Sequence, residues 1–287
     1  MVGLDVASPR RDLDPVTWIQ GDILDEGRYA RHLRGIDVLV HLAAIAHFVP
    51  RTKVEADTFW KVNLEGTKTL VAAAAEHGVR RFIHVSTVAV LSPSSGGIKS
   101  TYADSKRAAE REVLGFGDRI EVVVVRPTTV YGPNDRGNVY KLIHWVDRGL
   151  PAIIGSGENR KSLVYSMNLA HALFFLSEHG KSGEVYVVTD GIDLSMSDIV
   201  RAIAGSLGRK YRWPPIPISM VNKVAAINEW GAERFGLPRL FGGDTIAKFT
   251  EETVYDPSSL FSLGFKPLYG FNEGIQETVR WYRLSGR

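Results

Sequence analysis

Phe82-Ile83-His84-Val85-Ser86-Thr87, followed by Tyr102-Ala103-Asp104-Ser105-Lys106 and then by Glu121-Val122-Val123-Val124-Val125, is the stretch that decides the fold. The two outer runs are strand-sized and apolar without alternation, the pattern of parallel strands covered on both faces. Between them Ala103–Leu114 has helical character, so the stretch reads strand, helix, strand with a right-handed crossover. Towards the N-terminus, further apolar runs stand at Val38–Leu42, Val16–Ile19 and Val2–Val6, with a helix-like segment at Asp57–His77. The alternation predicts an α/β protein with a doubly wound parallel sheet, whose ligands sit at the carboxyl ends of the strands.

After Gly132-Pro133 the texture changes. Helical patterns lie at Val139–Arg148, Leu169–Glu178, Ser197–Leu207 and Gly274–Tyr282, with a strand at Glu184–Thr189 and a proline-rich connection at Trp213-Pro214-Pro215-Ile216-Pro217. We therefore expect a sheet domain over residues 1–133 and a smaller mixed α/β lobe over 134–287, with 183–192 returning a strand to the main sheet.

Composition narrows the function. The 287 residues, 44% of them hydrophobic, suffice for one large domain with a smaller appendage. With 35 basic against 32 acidic side chains the charge is too even for a nucleic-acid partner. The chain has no cysteine, which excludes disulfides, thiolate catalysis and cysteine-based zinc sites. Its eight histidines lack metal-ligand spacing, and His41 on a buried strand reads as a core residue, so no metal is expected. No apolar stretch reaches the length of a membrane span, and the N-terminus has no secretory pattern, so a cytoplasmic protein without a membrane partner is expected.

Tyr102 and Lys106 stand at i and i+4, where side chains share one helix face. A phenol titrates near about 10, too high for proton transfer at neutral pH, and a neighbouring ammonium favours the phenolate. By itself the pair also fits an ordinary surface contact. Ser86 and Thr87, however, end an apolar strand, where a hydroxyl points into the ligand crevice beside the tyrosine; the plainer reading is a turn cap.

A strand-end Ser-Thr followed by Tyr-x-x-x-Lys on the next helix resembles the extended short-chain dehydrogenase/reductases, a Rossmann-like family that includes UDP-galactose 4-epimerases, nucleotide-sugar dehydratases and 4-keto-sugar reductases. The similarity runs from about Val2 to Tyr282. It implies that Tyr102 is the acid/base, that Lys106 lowers its pKa and holds the nicotinamide ribose, and that Thr87, supported by Ser86, polarises the substrate oxygen. Leu4-Asp5 is similar to the strand whose acid binds the adenosine ribose. An acid there disfavours a 2′-phosphate and so favours NAD over NADP, although Arg10 and Arg11 follow closely. Gly21-Asp22-Ile23 resembles the adenine contact, and His41-Leu42-Ala43-Ala44 the small-residue turn beside the cofactor. Asn63 resembles the asparagine that organises the site. Arg126-Pro127-Thr128-Thr129-Val130-Tyr131-Gly132-Pro133 resembles the passage past the nicotinamide into the substrate lobe. On this basis Val85 and Thr128 join the cofactor residues and Thr129 joins Thr87 on the substrate.

In the second lobe Gly155-Ser156-Gly157-Glu158-Asn159-Arg160-Lys161-Ser162-Leu163-Val164 is similar to a segment that brings a cation to the diphosphate of a UDP- or dTDP-sugar, which makes Arg160 and Lys161 candidates. An exposed turn with solvated charges is the plainer alternative. Lys161 stands where many relatives have Arg, and Asn168 where many have Asp; the pattern looks closer to 4-keto-sugar reductases. The connection from Thr87 to Tyr102 is short and rich in Ser and Gly, where many relatives carry a longer loop over the sugar. Val88-Ala89 stand where 4,6-dehydratases place Asp-Glu, which argues against elimination. The family's first strand and Gly-x-x-Gly-x-x-Gly turn have no counterpart before Asp5. We therefore expect a chain begun inside the second strand, with weak NAD binding. The leading expectation is an NAD-dependent 4-epimerase or 4-keto reductase of nucleotide sugars. A homodimer paired through helices is a further implication of the resemblance. The alternatives are a hydroxysteroid-type alcohol dehydrogenase, or a binding protein with impaired catalysis.

Overall fold

Valine and isoleucine at the centre of the decisive stretch form the most buried strands of the protein, because a β-branched side chain loses little freedom on a pleated surface. The computed structural model describes residues 1–7, 16–46, 48–94, 97, 100–223 and 250–285. Arg10 and Arg11 fall outside the described residues. The chain divides into two compact units. The first comprises Met1–Pro127, Ala170–Val188 and Pro257–Phe265; the second comprises Thr128–Leu169, Thr189–Asp256 and Lys266–Arg287.

In the first unit β1 (Val2–Asp5) pairs in parallel with β2 (Thr17–Gln20). Separately, β3 (Val38–His41), β4 (Arg81–Val85), β5 (Glu121–Pro127) and a later strand, Val185–Val188, form a four-stranded parallel sheet in that order. The expected parallel sheet is thus present in two hydrogen-bonded pieces. Leu4 of β1 and Leu39 of β3 nonetheless pack against one core that includes Leu70, Val71, Ala74, Phe82 and Val122. Val122, Val123, Val124 and Val125 are fully buried, and each such side chain contributes about 1.5–3 kcal/mol relative to exposure.

Helices cover both faces. After α1 (Glu26–Tyr29), a helical run begins at Thr52, whose side chain accepts from the Glu55 amide in a capping box. It continues as α2 (Lys53–Phe59), a π-helical turn (Trp60–Gly66) and α3 (Thr67–Glu76). With α4 (Thr101–Leu114) it packs on the face of Phe82 and Val122. The opposite face of β4 meets the carboxyl half of a helix at Ser166–His179, where the buried Arg81 donates to the carbonyls of Leu176 and Ser177 at 2.9 Å each. A cation there also suits the negative end of the helix.

The first unit's opening segment ends at Pro127 rather than near residue 133, because β6 (Thr129–Tyr131) pairs with β7 (Arg160–Tyr165) of the second unit. After α5 (Asn138–Asp147) and β7, the helix just described is α6, and β8 (Val185–Val188) pairs with Val124–Pro127. The second unit adds β9 (Asp193–Ser195), antiparallel to β7, and α7 (Met196–Ser206). A short α8 (Ser258–Phe261) belongs to the first unit and α9 (Phe271–Leu284) to the second. The second core joins α5, α7 and α9 through Ile143, Val146, Ile199, Ile203, Ile275 and Val279.

Gly155-Ser156-Gly157 is a built turn. Gly157 has φ +73°, and a Cβ there would lie 2.3 Å from Ser197 Oγ and 2.6 Å from Ile153 Cγ2. Gly157→Ala should therefore combine left-handed strain with overlap and destabilise the protein by about 2 kcal/mol or more. The check is chemical denaturation: a midpoint equal to wild type would contradict this account of the turn.

Candidate active site

The site of the first unit is built where β3 and β4 end. Thr87 leaves β4, caps a 3-10 turn (Val88–Leu91) by accepting from the Ala89 amide at 3.2 Å, and is hydrogen-bonded to the side chain of Tyr102. The Tyr102 ring stands edge-on to Phe59 of α2 at 6.4 Å. One helical turn on, Lys106 is 1% exposed and donates to the Val85 carbonyl at 2.7 Å. Ser86 is buried, and its hydroxyl has no partner among the described residues.

Asn63 occupies the π-helical turn and is fully buried. Its Oδ1 accepts from the Ile45 amide at 2.7 Å, and its Nδ2 donates to the Ile45 carbonyl and to Ser105 Oγ, each at 3.1 Å. One side chain thus ties the loop after β3 to the helix of Tyr102 and Lys106. Thr67 gives its only proton to the Asn63 carbonyl at 2.7 Å. It must therefore accept from His41 Nε2 at 2.8 Å, which fixes a proton on Nε2 of His41.

Burial governs the electrostatics. It lowers Lys106 to about 8, against the pull of Glu110, which favours the charged form. Burial, with a smaller contribution from Lys106, lowers His41 to about 3. His84, with its ring 5.4 Å from that of His41, is held well below the usual histidine range by burial, then by Lys106 and His41. Neither ring nitrogen of His84 has a partner among the described residues. Tyr102 departs from the sequence expectation: burial raises its pKa, the Thr87 bond opposes this, and Lys106 does not lower it. The ammonium is turned to Val85 instead of the phenol.

The remaining candidates fall into two groups. Asp5 is exposed at the end of β1, accepting from the Ala7 amide at 2.8 Å, and Asp22 is exposed, accepting from the Leu24 amide at 3.0 Å. Ile23 is buried at the glycine of the π-helical turn, where a Cβ on Gly66 would come within 2.7 Å of it. Leu42, Ala43 and Ala44 form an exposed run after β3, and Val85 is half-buried. These residues, with Tyr102 and Lys106, fit the two ends of a dinucleotide. They offer a carboxylate at one strand end for ribose hydroxyls, small exposed residues at the next, and an ammonium with a phenol at the third. The others belong to the second unit. Thr128 is buried and Thr129 pairs with Leu163. Arg160 is exposed with Asp193 at 3.9 Å, whereas Lys161 is buried and donates to the Glu251 carbonyl at 2.5 Å. Asn168 departs from Asp for a visible reason: it donates to the Asp190 carboxylate at 2.8 Å, which a second carboxylate would repel.

Sequence reasoning missed His84, Asp104 and Arg107. Only the i, i+3 spacing of Asp104 and Arg107 signalled an interaction. Among the described residues no three His, Asp or Glu gather as a metal site, and no helix is long and apolar enough to cross a membrane.

The sequence profile of the NAD dependent epimerase/dehydratase family matches residues 2–189. The chain belongs to that family, whose cofactor is NAD. It is 31% identical to a UDP-glucose 4-epimerase of Vibrio cholerae, over 91% of this chain and 81% of the relative. A 3-beta-hydroxysteroid dehydrogenase of Mycolicibacterium neoaurum is 26% identical over 96% of this chain and 82% of its own. Among solved structures, the dTDP-glucose 4,6-dehydratase DesIV of Streptomyces venezuelae, crystallised with NAD, is 27% identical with a TM-score of 0.71, over 99% of this chain and 87% of that one.

The buried histidines set a pH dependence. Both are neutral in the fold but titrate near about 6.5 when unfolded. Below that pH the unfolded chain binds more protons, so the stability present above about 6.5 is lost as pH falls towards about 3. Each histidine contributes a loss of up to about 1.4 kcal/mol per pH unit. In urea unfolding between pH 7.5 and 4.5, His84→Leu should flatten this slope to roughly half the wild-type value. An unchanged slope would show that His84 does not carry it.

Proposed function

We propose that the chain is an NAD-dependent oxidoreductase of nucleotide-activated sugars, acting as a 4-epimerase or 4-keto reductase. The observation that supports this most is the Thr87–Tyr102 hydroxyl pair at the end of β4, with Lys106 buried one helical turn away. NAD, when bound, supplies or accepts the hydride. The protein's part is to hold the reacting oxygen and move one proton.

Tyr102, a phenol whose pKa burial raises further, is protonated at neutral pH. That is the state which donates a proton to a sugar keto oxygen as hydride arrives; the reverse transfer, which opens oxidation of the alcohol, needs the phenolate, which burial disfavours. Thr87 fixes the same oxygen from the strand side, with Ser86 behind it. Lys106, lowered by burial to about 8, would offer its ammonium to ribose hydroxyls from beside the Val85 carbonyl. Asn63 holds the β3 loop, with Leu42, Ala43 and Ala44, in register with α4. Asp5 prefers ribose hydroxyls to a 2′-phosphate, which supports NAD over NADP. Val88 and Ala89 offer no acid or base for elimination, which supports epimerase or reductase chemistry over dehydration. The hydroxysteroid-type reading remains the second one, because a steroid dehydrogenase is among the relatives.

Tyr102→Phe should lower kcat by about a hundredfold or more while leaving UDP binding within twofold, because only the transferable proton is deleted. Lys106→Met should weaken both turnover and NAD binding. The measurement is a panel of UDP- and dTDP-sugars against steroids, with epimerised sugar product read by chromatography and net oxidation or reduction by NADH absorbance. Near-wild-type turnover by Tyr102→Phe would remove its role, and turnover of steroids alone would install the second reading.

For Arg160 and Lys161 we expect the double alanine variant to bind UDP about tenfold more weakly by calorimetry, with NAD affinity unchanged. Equal UDP affinity would leave Arg160 as an ordinary partner of Asp193 and Lys161 as a structural tie to Glu251.

A further inference from the structure

The connection from Thr87 to Tyr102 is held from one side by α4. Arg107 donates Nε to the Val90 carbonyl at 3.0 Å, and Nη2 to the same carbonyl at 2.9 Å and to the Ser92 carbonyl at 2.7 Å. Its Nη1 meets Asp104 Oδ1. The other oxygen of Asp104 accepts from Ser94 Oγ at 2.9 Å and from Ser100 Oγ at 2.6 Å. Two side chains on one turn of α4 therefore fasten the loop near both ends. Burial pushes the Asp104 carboxyl up, but the bonds from Ser100, Ser94 and Arg107 outweigh it and hold the group below the usual carboxylate range. Both side chains are mostly covered, at 28% and 18% exposure, so these are not freely solvated surface charges.

We propose that Arg107 and Asp104 form a clasp that fixes the 88–94 loop against α4 and thereby sets which substrates reach the Thr87–Tyr102 pair. The proposal rests on the reading that this pair faces the substrate. The physical case is that a planar guanidinium with several donors in a fixed fork can satisfy three acceptors at once. A loop with two of its carbonyls held on one guanidinium is confined to one path, and the loop begins at Thr87 itself. Tyr102 lies on the same helix as the clasp, so the loop is located relative to the phenol through a rigid element. Arg107 and Asp104 are positioning residues: they touch loop backbone and hydroxyls, not the reacting atoms.

The test compares Arg107→Ala, Arg107→Lys and Asp104→Asn with wild type. Hydrogen exchange of the Ala89, Val90 and Ser92 amides reads the loop. KM and kcat for UDP-glucose and UDP-N-acetylglucosamine read the consequence. We expect Arg107→Ala to speed exchange at these amides about tenfold or more. KM should rise about tenfold, with kcat changed less than threefold and the ratio of kcat/KM between the two sugars shifted. Arg107→Lys, which lacks the fork, should recover only part of this. Unchanged exchange in Arg107→Ala would overturn the clasp, and faster exchange with unchanged KM and sugar ratio would overturn its part in selection. Tyr102→Phe separates the two readings, since it should remove kcat while leaving loop exchange as in wild type. Should wild type turn over steroids instead, the nucleotide-sugar reading fails, and the clasp is judged by the same KM comparison on two steroids of different bulk.

Discussion

A buried ammonium is the constraint around which the first unit is arranged. Lys106 is 1% exposed, and taking a charge out of water costs several kcal/mol unless partners replace the solvent. The structure supplies the Val85 carbonyl directly and the Glu110 carboxylate at longer range, and still leaves Lys106 depressed to about 8. Burial first, and then the same charge, disfavour a second cation nearby, so His41 and His84 stay neutral across the physiological range. Glu110 in turn is satisfied by Arg126, whose Nε and Nη2 reach its two oxygens at 2.9 and 2.6 Å.

Such an arrangement is tolerable because the surrounding frame is stiff. Four consecutive valines of β5 and the buried Phe82 and Ile83 of β4 form a core that resists relaxation around the charge. The π-helical turn adds a second restraint. Widening the helix by one residue per turn turns Asn63 inwards, where its amide meets both backbone groups of Ile45. Turns of this kind recur at functional sites because an ordinary α-helix would carry such a side chain past its partners.

Most of this architecture could be read from residue order. Apolar runs of β-branched residues located every strand of the main sheet to within a residue or two, since a strand buried on both faces must be apolar throughout. The spacing of Tyr102 and Lys106 placed both on one face of α4 for the same periodic reason. What the sequence hid depends on partners far along the chain. The π-helical turn has the composition of an ordinary helix, and nothing in Val62-Asn63-Leu64 announces it. Adjacency of Tyr102 and Lys106 on one helix face does not set the direction of the Tyr102 shift, because the ammonium bends to the Val85 carbonyl on β4 and burial raises the phenol. Lys161 reads from sequence as a candidate cation for the diphosphate, and only the fold brings it to the Glu251 carbonyl, distant in sequence. The substitution of Asn168 became intelligible only with Asp190 beside it.

Helix α4 shows why a single element can carry so much of the site. Successive residues turn by about 100°, so side chains a few positions apart serve different neighbours from one rigid axis. Lys106 reaches β4, Ser105 meets Asn63, Glu110 meets Arg126 of β5, and Asp104 with Arg107 hold the loop that follows Thr87. The helix is thereby tied to β4, to β5, to the π-helical turn and to the loop, each through a charged or buried polar group that would be costly to leave unpaired. A displacement of α4 would have to break several of these ties together. The position of the Tyr102 hydroxyl is therefore set by the whole unit, while its side-chain hydrogen bond to Thr87 is left to orient it.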